Sequence, residues 1–275
     1  MKETKLAILG AGNIGTAMAR GFVESGLLQA KNITLTRRHS DLLESFKQMG
    51  YQVTSDNISA VNTSTILILS VEPHQAKAVM QEIAPVLHPH RHTFFSVVSG
   101  LTLIEMQKIL PKDLSIVRVM PNTAIAVQES MTCLSAASYN EPALKTAETL
   151  FNTLGQTLII EEEQMSAATA LGACGIAFFL RAIRAASQGG IEVGFQAKDA
   201  LKIAAQTAKG AAKLIQVYGN HPEQEIDKVT TPLGCTIAGL NEMEHEGFSS
   251  AMIKGIKVSA ERAEKLYQPE NSSKI

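Results

Sequence analysis

The chain has 275 residues, which is long for one compact domain and comfortable for two. Its formal net charge is −1, no block of basic residues stands in either half, and 45% of the residues are hydrophobic. A real core is within reach, and nucleic acid or an anionic membrane is not expected as the main partner.

Cys133, Cys174 and Cys235 are odd in number, far apart and without a CxxC pair. Neither a disulfide framework nor a metal site is expected, and a reducing, cytoplasmic setting fits. The apolar N-terminal run LAILG is too short for a signal peptide. The most apolar internal run, Ser166 to Leu180, has 15 residues and is followed by Arg181 and Arg184. A membrane span needs about 20 residues, so this run reads as a buried helix and no membrane partner is expected.

The first half alternates short apolar runs with helical spacing. Strands are predicted at Lys5 to Leu9, Asn32 to Thr36, Tyr51 to Ser55, Thr65 to Val71, Thr93 to Ser99 and Ser115 to Met120. Between them, helices are predicted at Asn13 to Ser25, Asp41 to Met49, Pro73 to about Leu87, and Leu103 to Leu110. Two further strands are expected at Met131 to Leu134 and Thr157 to Ile160. Continuous apolar strands separated by helices imply a parallel, doubly wound α/β sheet covered on both faces.

After about Glu163 the strand signals stop and alanine becomes common. Long helices are predicted at Met165 to Gln188, Lys198 to Tyr218, Pro232 to Glu244 and Ser249 to Leu266, before the polar tail Gln268 to Ile275, which is expected to fray. This divides the chain into a dinucleotide-binding domain, residues 1–163, and an all-helical domain, residues 164–275. An alanine-rich bundle of that size has little core of its own, so burial against a second copy is a natural remedy.

GAGNIG, Gly10 to Gly15, is a GxGxxG motif placed directly after the first strand and opening a helix. Gly10 makes the tight turn, Gly12 lets a pyrophosphate approach the backbone, and Gly15 brings the helix close to the sheet. Asn13 and Ile14 begin the helix whose N–H groups favour phosphate. The second strand ends Thr36-Arg37-Arg38-His39, with no carboxylate before Asp41. A hydroxyl and two guanidiniums suit the 2′-phosphate of NADPH, with NADH possible. Ser70, Val71 and Pro73 follow the next central strand and would border the cofactor. Asn122 and Thr123, after Met120-Pro121, are placed to hydrogen-bond a nicotinamide amide, or equally to form a turn. His74 and His221 read as structural.

The stretches GAGNIGTAMARGF, SVEPH, VSGLTL, RVMPNTA and TTPLGCTIAGL, in this order and spacing, resemble pyrroline-5-carboxylate reductase over nearly the whole chain. The resemblance implies a Rossmann domain, a helical dimerisation domain and a homodimer or higher homo-oligomer. It also implies NAD(P)H-dependent reduction of an imino acid, Δ1-pyrroline-5-carboxylate, to proline, the last step of proline biosynthesis. On that reading TTPLGCT holds the substrate carboxylate. Pro232 opens a helix, the N–H groups of Leu233, Gly234, Cys235 and Thr236 are free, and Thr230 or Thr231 caps or binds. Thr236 matches the family's threonine near the imine nitrogen, and Asn57 its asparagine near the cofactor ribose.

Three departures from the family's pattern fall near the expected pocket. Glu72 replaces a common lysine. Gly172 to Phe178 lacks a hydroxyl and a phenol, at Cys174 and Phe178. Leu233 replaces the first glycine of Pro-Gly-Gly. They leave room for a reductase of another cyclic imine, or for a non-catalytic nucleotide-binding paralogue. Related β-hydroxyacid dehydrogenases use a lysine in the first long helix, and none occurs here between Gln164 and Ala197.

Overall fold

The computed structural model describes residues 3–137 and 140–266. The predicted tail, Gln268 to Ile275, lies outside them. Contacts divide the chain into two compact units, one running to Cys174 and resumed from Val258, the other Gly175–Lys257.

The first unit is built on one eight-stranded sheet. In chain order the strands are β1 (Leu6–Leu9), β2 (Ile33–Thr36), β3 (Gln52–Thr54), β4 (Ile66–Leu69), β5 (Thr93–Ser96), β6 (Ser115–Met120), β7 (Ser130–Ala136) and β8 (Gly155–Ile159). Their order across the sheet is β3-β2-β1-β4-β5-β6-β7-β8. The first six are parallel and follow the Rossmann order, which reverses direction between β1 and β4. The helices are α1 (Asn13–Glu24), α2 (Glu44–Gln48), α3 (Asn57–Asn62), α4 (Pro73–Ile83), α5 (Leu103–Gln107), α6 (Glu141–Phe151) and α7 (Met165–Ala168).

Strand alternation explains the two cores. Leu6, Ile8, Ile33 and Ile68 point to one face and meet Met18 and Phe22 of α1 and Phe151 of α6. Ala7, Leu9, Leu67 and Leu69 point to the other and meet Ala76, Met80 and Ile83 of α4. Every side chain of β1 and β4 is buried, as a strand covered on both faces requires.

The structure departs from the sequence expectations in several places. β7 runs antiparallel to β6, because the connection between them holds only a 3-10 turn, Thr123–Val127, too short for the crossover a parallel pair needs. Helices α3 and α6 were not anticipated. The helix expected over Asp41 to Met49 begins as a 3-10 turn, Ser40–Leu43, before α2. A π-helical segment, Thr169–Cys174, interrupts the long helix expected from Met165.

The second unit is entirely helical, with α8 (Gly175–Glu192), α9 (Ala197–Tyr218), α10 (Pro222–Val229) and α11 (Cys235–His245), and α12 (Phe248–Ala263) begins within it. At Gly190 an added Cβ would lie 3.1 Å from the Cβ of Ala200, so small residues let α8 and α9 approach closely. The expectation of a buried helix at Ser166 to Leu180 is corrected here. Only Gly175 and Ser187 of α8 are buried, and Phe179 is 60% exposed. The continuous helical stretch Glu162–Glu192 has 31 residues and is, by length and composition, long and apolar enough to cross a membrane.

Candidate functional site

The glycine turn is shaped by contact. Gly10 has φ +94, and a Cβ there would fall 2.4 Å from Val71 Cγ1 and 2.7 Å from the Ser70 carbonyl oxygen. A Cβ at Gly15 would fall 2.9 Å from the Gly10 carbonyl oxygen. At Gly12 the added atom would meet nothing within 4 Å. Two glycines are thus demanded by the protein's own packing, and the third opens onto free space where a phosphate can approach the backbone. No side chain caps α1 at Gly12, so the N–H groups of its first turn, at Asn13 and Ile14, have no side-chain acceptor. The cradle fits a dinucleotide.

A cleft of about 640 Å3 opens at the C-terminal ends of these strands. Gly10 and Gly12 line it from the glycine turn, Thr36, Arg37 and Arg38 from the end of β2. Asn57, Ser70 and Val71 line it from α3 and the end of β4. Neither Arg37 nor Arg38 forms an ion pair with a described residue, which leaves both guanidiniums available to an anion. Glu72 and His74 also line the cleft, with Glu72 Oε2 3.4 Å from His74 Nδ1. A larger recess, about 760 Å3, lies at the opposite, N-terminal ends of the strands, lined by Lys5, Thr65 and Arg91. It is distant from the glycine turn and carries none of the predicted residues.

The anticipated residues outside the cleft lining have visible local roles. Pro73 is the first residue of α4. Asn122 is buried; its Oδ1 accepts from the Ala124 N–H at 3.0 Å, and its Nδ2 donates to the Gly172 carbonyl at 3.1 Å. Its side chain therefore does turn chemistry and ties the end of β6 to the π-helical segment. Thr123 is exposed beside it.

Sequence reasoning missed three charged residues of this unit. Glu82 on α4 accepts from Asn57 Nδ2 at 2.9 Å. Arg118 on β6 is buried and lies 3.0 Å from Glu162, which also accepts the Leu103 N–H at 2.6 Å. Burial pulls the Arg118 guanidinium down from its usual range, while the Glu162 carboxylate acts in the opposite direction. No local pattern announces these contacts, because each joins residues far apart in the chain.

In the second unit, the stretch Thr230 to Thr236 forms a turn followed by a helix. Helix α11 begins at Cys235 with Gly234 as its N-cap, and this corrects the expectation that Pro232 opens the helix. The Gly234 N–H donates to the Thr231 carbonyl at 2.9 Å. Pro232 and Leu233 are the two central residues of that turn, and Leu233 has φ +60. A glycine is the usual occupant of such a position. A Cβ at Gly234 would lie 2.5 Å from Thr231 Oγ1, so this glycine cannot be replaced without movement.

The donors of the turn are consequently fewer than expected. The Gly234 N–H is used within it, while the N–H groups of Leu233, Cys235 and Thr236 have no hydrogen-bond partner among the described residues. The Thr230 hydroxyl donates to the Ile226 carbonyl at 2.8 Å and serves the end of α10. Thr236 is half-buried, and its hydroxyl has no hydrogen-bond partner among the described residues. Cys235 is exposed. His221, read as structural, is the N-cap of α10, where its Nδ1 accepts from the Glu223 N–H at 3.3 Å. Among the described residues no group of three His, Cys, Asp or Glu could hold a metal ion.

A Rossmann-order sheet with a glycine cradle, joined to an all-helical region, defines a dinucleotide-dependent oxidoreductase architecture. Residues 162–266 match the family model described as pyrroline-5-carboxylate reductase dimerisation, and residues 5–100 one described as NADP oxidoreductase coenzyme F420-dependent. Pyrroline-5-carboxylate reductase 2 of Dictyostelium discoideum is 46% identical over 96% of this chain and 94% of its own length. The chain belongs to the pyrroline-5-carboxylate reductase family. Pyrroline-5-carboxylate reductase 1 of the same organism is 50% identical over 99% of this chain, which spans about half, 51%, of that relative. Among solved structures, the pyrroline-5-carboxylate reductase of Coxiella burnetii superposes with a TM-score of 0.89 at 26% identity, covering 97% of this chain and 100% of that one.

Proposed function

We propose that the chain catalyses NAD(P)H-dependent reduction of Δ1-pyrroline-5-carboxylate to proline, with NADPH favoured. The observation that carries this is the first turn of α11. There the unpartnered Thr236 hydroxyl stands beside the free N–H groups of Cys235 and Thr236, in a chain that also carries a dinucleotide cradle.

Bound NAD(P)H would supply a hydride to C5 of the cyclic imine, and the ring nitrogen would take its proton from solvent. The chain's own residues bind and orient. The N–H groups of Cys235 and Thr236, at the positive end of an 11-residue helix, favour the substrate carboxylate. The hydroxyls of Thr230 and Thr231 border the same turn, and Leu233 presents its side chain at the rim. The Thr236 hydroxyl hydrogen-bonds and polarises the imine nitrogen. In the other unit Gly10, Gly12, Asn13, Ile14 and Gly15 hold the pyrophosphate. Thr36, Arg37, Arg38 and Asn57 take the adenosine end, and Ser70, Val71, Pro73, Asn122 and Thr123 border the remainder.

Residues 1–163 serve the nucleotide and residues 164–275 serve substrate and dimer formation, a division supported by the span of the dimerisation model. The exposed apolar residues of the helices, among them Phe179, Leu180, Leu201 and Leu214, are assigned to a second copy of the chain. The three unpaired cysteines suit a reducing cytoplasm. Leu233, fully exposed where the family carries glycine, favours a different cyclic imine as the second reading.

The test is purified chain with NADPH and pyrroline-5-carboxylate, followed by loss of nicotinamide absorbance. Turnover supports the proposal. Turnover only with other imines supports the second reading, and nucleotide binding without turnover indicates a non-catalytic paralogue. Replacing Arg37 and Arg38 with alanine should weaken NADPH more than NADH; equal losses would sink the 2′-phosphate assignment.

A further inference from the structure

Four groups in the cleft form one directed chain of hydrogen bonds. Glu82 is a carboxylate and accepts only, so the Asn57 group facing it at 2.9 Å must be the amide nitrogen. Asn57 Oδ1 therefore faces Thr36, whose hydroxyl donates to it at 2.6 Å. With its proton committed, the Thr36 oxygen accepts from the Gly10 N–H at 3.3 Å. Glu82 thus sets the donor and acceptor sense of the Asn57 amide and the Thr36 hydroxyl, next to the Gly10 N–H, which donates to both the Thr36 hydroxyl and, at 3.2 Å, the Thr36 carbonyl.

Glu82 also brings charge. The end of β2 offers Thr36-Arg37-Arg38-His39 and no carboxylate, whereas a carboxylate near the ribose is what accepts from the 2′-hydroxyl in NAD-binding sheets. Glu72 lines the same cleft but stands against His74, 3.4 Å away. Glu82 is the carboxylate coupled to the Thr36 and Asn57 pair, reaching it from α4 rather than from the strand end.

We propose that Glu82 is a positioning and specificity-determining residue. It fixes the Asn57 amide, and its negative charge opposes the pull of Arg37 and Arg38 on a 2′-phosphate, so that the site keeps affinity for NADH. This rests on the reading of the cleft as the NAD(P)H site. The charge is exposed, so the effect is modest and falls with salt.

The test is fluorescence titration of the full chain with NADPH and with NADH, for wild type, Glu82→Gln and Glu82→Ala. Glutamine retains an acceptor for Asn57 and loses the charge. It should tighten NADPH by roughly threefold at low salt and leave NADH unchanged or weaker, with the gain shrinking at high salt. Alanine also releases Asn57, so it should bind both nucleotides less well than the glutamine variant does. The ratio of the two dissociation constants is insensitive to a loss of folded protein. An unchanged ratio in Glu82→Gln overturns the charge role, and identical constants in the two variants overturn the positioning role. Wild type that binds neither nucleotide would instead refute the reading of the cleft.

Discussion

The Thr36 hydroxyl donates to the Asn57 amide oxygen across 2.6 Å, joining the end of β2 to the first residue of α3 inside the cleft at the C-terminal ends of the strands. Thr36 is buried, so its hydroxyl needs that partner. Thr36→Val keeps the shape and leaves the Asn57 oxygen unpartnered. We expect NADPH affinity to fall roughly fivefold, the worth of about one hydrogen bond, in a fluorescence titration. Unaltered affinity would separate this pair from cofactor binding.

The Arg118–Glu162 pair should matter to stability. Arg118 is buried, and Glu162 also holds the Leu103 N–H, so the pair links β6, the start of α5 and the chain entering α7. Arg118→Ala leaves a carboxylate without its cation. A loss of about 3 kcal/mol is expected in urea denaturation. A loss below about 0.5 kcal/mol, the range of ordinary surface changes, would mean that water replaces the guanidinium without cost.

The turn before α11 gives opposite expectations for its two adjacent residues. Leu233 holds φ +60, a conformation that costs an L-residue about 1–2 kcal/mol. Leu233→Gly should therefore preserve or slightly raise the melting temperature, whereas Leu233→Val, β-branched, should lower it. Gly234→Ala should also lower it, because the new methyl would lie 2.5 Å from Thr231 Oγ1. A destabilising Leu233→Gly together with a neutral Gly234→Ala would contradict the turn geometry.

His92 predicts a pH dependence. It is buried, its Nδ1 accepts from the His88 N–H at 3.0 Å, and its Nε2 meets no hydrogen-bond geometry with the described residues, although the backbone of Val61 and Ser64 lies close enough to favour its protonated form slightly. Burial first, then the nearby Arg91 and His88, pull its pKa below the ordinary 6.5. The unfolded chain then binds the proton more readily than the folded one. The stability contributed by neutral His92 is complete above about pH 6.5 and is lost as pH falls from there toward the lower folded value. His92→Gln should flatten this part of the stability–pH profile measured by denaturant titration; an identical slope in both proteins would clear His92.

What could be read in advance follows from the range of each signal. The glycine motif and the apolar runs of β1 and β4 are local patterns, and both were legible. Helices α3 and α10 are short, and α10, PEQEIDKV, is mostly polar, so periodicity did not reveal them; α6 is as long as α4 and was overlooked despite its apolar face. Their starts were nevertheless marked by Asp56, Asn140 and His221, each of which caps a helix. Pro232 was ambiguous because proline suits both the first turn of a helix and the second position of a turn. Only the backbone at Leu233 decides between them. The Glu82-Asn57-Thr36 chain was invisible, since it depends on where α4 lies against α3 and β2. An apolar helix likewise does not declare whether its own domain or a second chain covers it.

The most direct test follows the hydride itself. Purified chain, pyrroline-5-carboxylate and NADPH deuterated at the transferable position would be incubated, and the product examined by NMR and mass spectrometry. The account predicts proline carrying one deuterium at C5, formed by wild type and strongly reduced in Thr236→Ala, which should still bind NADPH. Absence of deuterated proline from wild type that binds NADPH, or an undiminished rate in Thr236→Ala, would contradict it.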